Sequence, residues 1–545
     1  MSLVSLPGEL YTAIVEQLEP SSWTQVVLSL SRALPSAPIP IQLLFHSIRI
    51  RHPQQAVSLY LRLWKAPGTT LALGKHPDPC ASWIKELSLE TWTADADVVI
   101  NIIRLLPSLD SLNIRIGPSN FSPEHLEQLF ENPIGALNQL SLRFRPYVKK
   151  ASYYQFHKGV YFDSTLLALA KWPPQAIPRI SIVQDPQTPN QDMSRKQSFA
   201  QPIVFFLLDP HLSVLIHSPA IANSMKALRL RIPSRPVTRA LCAPPGRTEA
   251  YHSPDALPVV PNLEYLDLST CGVIEGELDM ILARFQNLKH LVIDRCAVLR
   301  VEVRQGEWAA LGKRCALIGV KRARDREKEL KAWLEERWVE NSQTLGSDGG
   351  PAQLVINPVR PEPRTQRAGR RGLATATISL RDRPTSDPAQ SIPVSSRDLN
   401  MPKPPVPKMR ILPFVSRLQT LATTSTLEIE PSKHSAIRAE FEGGWAEGIA
   451  QLVVTRARMR TSARNGVRLL RFAEDAENSQ GGESPGIDGL RDVDTNDDGA
   501  FAILDDKPPT LCLAGPGRNE HHVSGCGHSV GWDIWTESAE GSDDI

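Results

Sequence analysis

A short apolar core of the form Leu-x-Leu, or its Ile equivalent, recurs seven times in the 545-residue chain. Its members are Leu87/Leu89, Leu112/Ile114, Leu140/Leu142, Ile180/Ile182, Leu228/Leu230, Leu266/Leu268 and Leu291/Ile293, at successive spacings of 25, 28, 40, 48, 38 and 25 residues. Alternation with a period of two is the mark of a strand with one buried face. The intervening segments 95–106, 123–130 and 274–285 read instead as helices; in the last, Leu278, Ile281, Leu282 and Phe285 share a face. Strands alternating with helices predict a parallel sheet with one layer of helices packed on it.

The last two units, NLEYLDLSTCGV and NLKHLVIDRCAV, share the pattern L-x-x-L-x-L/I-x-x-C, with Cys271 and Cys296 where the chain turns off the strand. This pattern resembles the leucine-rich repeat. The resemblance implies an α/β protein built as an irregular leucine-rich-repeat solenoid over residues 80–306, with insertions at 147–176 and 183–222. A stiff face of parallel strands presents rows of outward side chains to a protein client. The candidate client-binding residues are Asn113, Arg115, Arg143, Arg229, Arg231 and Asp267. A generic α/β domain with Leu-rich strands is the competing reading.

Residues 1–50 read as a small helical unit. Leu10, Ile14 and Leu18, with Tyr11 and Val15, fall at helical spacing after Pro7, and Pro20 ends that helix. Trp23, Val26, Val27 and Leu30 mark a second helix. A third short one carries Leu43, Leu44 and Phe45 and leads into the strand-like Ser47-Ile48-Arg49-Ile50. The opening LPGELYTAIVEQL resembles the Leu-Pro-x-Glu-Leu signature of the F-box family, and LSLSRALPSAPIPIQLLFHSIRI resembles the ending of many fungal F-box-like proteins. The middle departs from that family, with SLSRALP in place of its cysteine-aromatic or basic-Trp pattern. The resemblance implies that Leu6, Pro7, Leu10, Ile14 and Leu18 contact the adaptor of a cullin–RING ubiquitin ligase, so that the chain recognises a client for that ligase. The alternative is that the same helices only cap the strands that follow, leaving a ligase-independent scaffold.

Beyond residue 306 the composition changes. Residues 307–343 read as a charged capping helix with alternating signs. Residues 344–439 read as a disordered linker, with 12 prolines between Pro351 and Pro413. Residues 440–473 read as a basic amphipathic helix, in which Arg456, Arg460, Arg464 and Arg468 recur every fourth position. From Glu474 to Ile545 there are 17 acidic and three basic residues, so an acidic, mostly disordered tail of net −14 follows a body of net +16. Pairing between that helix and the tail is favoured over nucleic-acid binding, which is not expected.

The tail carries three motifs with chemical meaning. Gly527-His528-Ser529-Val530-Gly531 matches the G-x-S-x-G nucleophile pattern, but no His follows it. Asp494, Asn496, Asp498, Gly499 and Asp505 approximate a calcium loop without the usual final Glu. Cys512, His521, Cys526 and His528, with His522 adjacent, offer zinc-ligand chemistry in the non-standard spacing C-x8-H-H-x3-C-x-H. With no P-loop, HExxH, Rossmann fingerprint or triad, neither catalysis nor a cofactor is expected. The seven scattered cysteines lack any CxxC, the N-terminus lacks a basic leader, and the most apolar stretch, 203–222, is broken by Asp209, Pro210 and Pro219. These features predict no membrane span and a reducing compartment, cytoplasm or nucleus.

Overall fold

The computed structural model describes residues 6–64, 79–117, 119–145, 162–174, 177–185, 204–205, 207–242, 260, 262–296, 306–344, 408–424, 429–472, 490–494, 498–503, 506–518 and 520–535. Two compact units divide the chain. One comprises 1–330 with 409–545; the other is 331–408, whose described part is the end of the helix Ile318–Thr344 and Lys408.

All seven Leu-x-Leu cores are strands of one parallel sheet. Its first eight strands are β1 (Ser47–Ile50), β2 (Glu86–Leu89), β3 (Ser111–Ile116), β4 (Gln139–Phe144), β5 (Arg179–Gln184), β6 (Ala227–Arg231), β7 (Tyr265–Asp267) and β8 (His290–Val292). The chain then makes β9 (Met409–Ile411), β10 (Thr420–Ala422), β11 (Arg468–Phe472), β12 (Leu490–Asp492) and β13 (Thr510–Cys512). Strands β10 and β13 continue the large sheet beside β8, giving ten parallel strands in chain order; β12, β11 and β9 form a separate three-stranded sheet.

Register explains why the motif recurs. Ile48, Leu87, Leu112, Leu140, Ile180, Leu228, Leu266, Leu291, Leu421 and Leu511 stand side by side along the sheet. From Leu87 onward every member of this row is buried. At about 1.5–3 kcal/mol for each buried Leu or Ile, such a row is a dominant favourable term. Helices between the strands cover that face. The helix Ala96–Arg104 is capped by Asp95, whose Oδ1 accepts from the Val98 N–H at 3.2 Å, and it buries Val99, Ile100, Ile102 and Ile103. In Glu275–Arg284, Glu277 accepts from the Ile274 N–H at 3.1 Å, while Leu278, Ile281 and Leu282 turn inward.

These findings correct the architecture expected from the sequence. The chain is an α/β protein with a ten-stranded parallel sheet and interleaved helices, and not an F-box-like helical unit followed by a leucine-rich-repeat solenoid and a mostly disordered C-terminal third. The sheet does not stop near residue 306, because β10 and β13 extend it. The N-terminal helices Gly8–Glu16 and Pro20–Ala33 have their own small core of Tyr11, Val15, Val27, Ile39 and Leu43, and lead directly into β1.

The C-terminal third also supplies the long helix His434–Arg464, which packs against the helix Glu307–Ala316. Glycines permit that approach: a Cβ on Gly444 would overlap the Ala309 carbonyl, and one on Gly312 the Phe441 carbonyl. Arg456, read as part of an exposed basic face, is buried and donates to the carbonyls of Pro413 at 3.1 Å and Ala502 at 2.9 Å. Arg468 lies beyond the helix, on β11, and makes a two-pronged ion pair with Asp492 of the acidic tail. Residues 345–407 and 473–489, which hold most of the expected linker and the start of that tail, lie outside the described residues.

Candidate functional site

The helices cover one face of the sheet, and the segment 513–535 crosses the other at its C-terminal end. This segment ends in the helix Gly527–Ile534, which packs on β8 and β10. Two glycines spaced by four residues let it lie close. A Cβ on Gly527 would meet Thr420 and Val292 at 3.1 Å, and one on Gly531 would strike the Tyr265 hydroxyl. The G-x-S-x-G pattern is thus a packing surface, and the Ser529 hydroxyl donates to the Cys526 carbonyl at 2.8 Å. Cys512, Cys526 and Trp535 join Ala227, Tyr265, Val292, Ala422 and Ala514 in a small core of its own.

At the start of that helix four side chains converge. Ligating atoms of Cys512, His522, Cys526 and His528 all lie within 4.8 Å of one another. His522 Nδ1 is 3.7 Å from each of the two sulfurs, and His528 Nδ1 is 4.0 Å from Cys526 Sγ. The far nitrogens are both engaged: His522 Nε2 donates to the Gly517 carbonyl at 2.8 Å, and His528 Nε2 to Asp294 Oδ2 at 2.7 Å. A carbonyl and a carboxylate can only accept, so Nε2 carries the proton on both rings and each Nδ1 faces the sulfurs. Cys512, Cys526 and His528 are buried. Trp532 shields the rings, edge-on to His522 at 4.8 Å and stacked on His528 at 6.5 Å.

Charge at the cluster is polarised. The hydrogen bond between the two sulfurs is the largest influence on both, lowering the pKa of Cys526 and raising that of Cys512. Burial opposes the charged His528 ring, but Asp294 and Cys526 outweigh it and raise its pKa to about 9.

Of the four zinc candidates read from sequence, the structure gathers three. His521 is exposed and outside the cluster, and its neighbour His522 takes the place. Two adjacent histidines cannot be told apart by spacing; the register of the turn before Cys526 decides which one points inward. Asp294, more than two hundred residues earlier in the chain and outside the tail motifs, is the acceptor behind His528.

The six candidate client-binding residues separate into two groups. Arg229 and Asp267 are buried beneath the C-terminal segment with Arg231 partly exposed beside them; the Arg229 guanidinium lies 4.8 Å from the Trp535 ring centre, and Asp267 accepts from Arg231 at 2.7 Å. Asn113, Arg115 and Arg143 stay partly exposed on β3 and β4, where Arg115 donates to the Glu90 carbonyl at 2.9 Å and Arg143 pairs with Asp185 at 2.7 Å. The five candidate adaptor-binding residues lie on the first helix, at its entry and, for Leu18, just past its end. Leu10, Ile14 and Leu18 are 48%, 50% and 39% exposed, Pro7 is exposed and Leu6 half-buried. The calcium-loop pattern falls partly on 495–497 and 504–505, outside the described residues.

Among the described residues no helix is long and apolar enough to cross a membrane. No protein-family model matches the chain, and no curated protein matches it.

Proposed function

We propose that this chain is a non-catalytic recognition subunit of a cullin–RING ubiquitin ligase, working in cytoplasm or nucleus, that docks the adaptor through its first helices. The observation that carries this reading is the outward ridge of Leu10, Ile14 and Leu18. The helix Gly8–Glu16 satisfies its own core with Tyr11 and Val15 on the opposite side, so the ridge contributes nothing to that core. Leu28 of the next helix, 38% exposed, adds to the apolar surface. Leu10 and Ile14, one turn apart on a solvent-facing helix, with Leu18 just past its C-terminal end, favour a partner with a complementary groove. The client would meet the uncovered part of the sheet, near Asn113, Arg115 and Arg143. The work done is proximity: the client is held where ubiquitin is delivered.

The test is direct binding of the purified full-length chain to purified adaptor–cullin complex, beside a Leu10→Asp/Ile14→Asp variant of equal thermal stability. Saturable binding that the variant loses supports the proposal. No binding by either protein leaves the helices as a cap on the first strand.

A further inference from the structure

We propose that Cys512, His522, Cys526 and His528 bind one zinc ion, and that the ion fastens the segment 512–535 across the open face of the sheet. The donor set is two thiols and two imidazoles, the borderline-soft ligands that suit zinc in a tetrahedral site and not calcium or magnesium, which require oxygen. The dimensions agree. Zn–S near ~2.3 Å and Zn–N near ~2.0 Å give a tetrahedron whose S···N edges are about 3.5 Å. Three of the four S···N edges here are 3.7, 3.7 and 4.0 Å, and no two of the four ligand atoms are more than 4.8 Å apart, so the cage closes by drawing the side chains inward.

The surroundings are those of a metal-binding imidazole. Both rings donate Nε2–H to a fixed acceptor, the Gly517 carbonyl or the Asp294 carboxylate, which orients Nδ1 toward the centre and raises its basicity. Asp294 is itself held, accepting from the Thr424 hydroxyl at 3.2 Å. A disulfide between Cys512 and Cys526 would use the sulfurs but leave two imidazole nitrogens facing a closed space; each buried unsatisfied group costs about 1–3 kcal/mol. Four protein ligands leave no open position, so the site is structural and not catalytic.

Location explains what the ion does. Cys512 ends the edge strand β13, His522 lies in the loop, Cys526 and His528 begin the last helix, and Asp294 follows β8. One ion therefore ties edge strand, loop and helix together, and its outer partner ties them to the sheet. The segment contains Gly515, Pro516, Gly517, Gly525, Gly527 and Gly531, and glycine loses more backbone freedom on ordering than any other residue, so fixing the segment takes free energy in addition to its small core around Trp535. Ligation supplies that energy, as in other small metal-stapled elements.

The experiment uses the full-length chain purified from zinc-supplemented culture. Metal analysis should find one zinc per chain, lost in Cys526→Ser and in His528→Ala, and retained in His522→Cys, which keeps four donors, and in Cys271→Ser, which removes a buried thiol elsewhere. Replacement by cobalt(II) should give the thiolate charge-transfer bands and intense visible bands of a tetrahedral site. This measurement needs only the wild-type chain, so it decides the matter even if the variants fold poorly. Chelation should speed tryptic cleavage after Arg518, an exposed residue of the loop that the ion ties down. Zinc absent from wild type, zinc content unchanged in both loss variants, a weak octahedral cobalt spectrum, or a Cys512–Cys526 disulfide in the native protein would each overturn the proposal.

Discussion

His528 Nε2 lies 2.7 Å from Asp294 Oδ2, joining the last helix to the turn after β8 through two buried side chains. The carboxylate fixes which ring nitrogen is protonated, and so which one faces Cys526. Asp294→Asn keeps the shape but offers a weaker, neutral acceptor. Its apparent zinc affinity, measured against a chromogenic chelator, should fall by roughly 10–100-fold, the usual effect of removing such an outer partner. Loss of a direct ligand in Cys512→Ser should abolish binding. Equal affinity in wild type and Asp294→Asn would show that His528 is oriented by its packing alone.

Asp267 is a buried carboxylate whose charge is fully answered. Arg231 donates to Oδ2 from two nitrogens, at 2.9 and 2.7 Å, and Ser269 donates to Oδ1 from its backbone N–H and its hydroxyl, at 3.0 and 2.7 Å. Burial works to raise its pKa, but Arg231 and Arg229 outweigh it and hold the carboxyl below its ordinary value. A depressed folded-state pKa means that the stabilisation is complete above the unfolded value of about 3.9 and is lost as pH falls through the folded one. Asp267→Asn should cost about 3–5 kcal/mol at pH 7, because Arg229 would keep its burial without its counter-charge. Urea melts from about pH 5 down to about pH 2, the range over which such a carboxylate takes up its proton, should show a shallower loss for the variant than for wild type. Parallel curves would place the acid sensitivity elsewhere.

The strands β2 to β8 were legible because each repeats an alternating apolar pair long enough to set a period. The helices between them were legible for the same reason at helical spacing. Strands β10 and β13 were not, since Thr420–Ala422 and Thr510–Cys512 are three residues each and sit near prolines that favour a linker reading. What makes them strands is register, β10 against β8 and β13 against β10, a tertiary fact that no local window contains. The first helix was legible as amphipathic, but not which of its two apolar stripes faces inward: Tyr11 and Val15 do, and Leu10, Ile14 and Leu18 do not. The metal cluster was half legible, because the residue types stood close in sequence while Asp294 lay far away.

Leu421 tests that lesson. It is buried, with Leu291 on one side and Leu511 on the other. Were 344–439 a linker throughout, Leu421→Ala would be silent. As a member of the central row it should cost about 2–5 kcal/mol, the range for truncating a core Leu. Chemical denaturation of full-length protein measures this, with Leu10→Ala as the comparison expected to change stability by less than about 1 kcal/mol, since that side chain is half exposed.

Two adjacent glycines in the helix His434–Arg464 offer the sharpest contrast. Gly443 faces open space, and nothing lies within 4 Å of a Cβ placed there. Gly444 faces the helix Glu307–Ala316, and its added Cβ would overlap the Ala309 backbone. Backbone cannot retreat as the end of a flexible side chain can, so the helices would have to separate, opening the interface that holds Phe441 and Trp445. Gly443→Ala should therefore stabilise the protein by about 0.5–1 kcal/mol, through the lower entropy of the unfolded chain and better helix propensity. Gly444→Ala carries the same propensity gain but should destabilise by the roughly 1–3 kcal/mol typical of overpacking, or more. The two substitutions are chemically identical and one residue apart, so a melting comparison isolates the packing. If both stabilise, the helices do not approach as closely as their glycines allow.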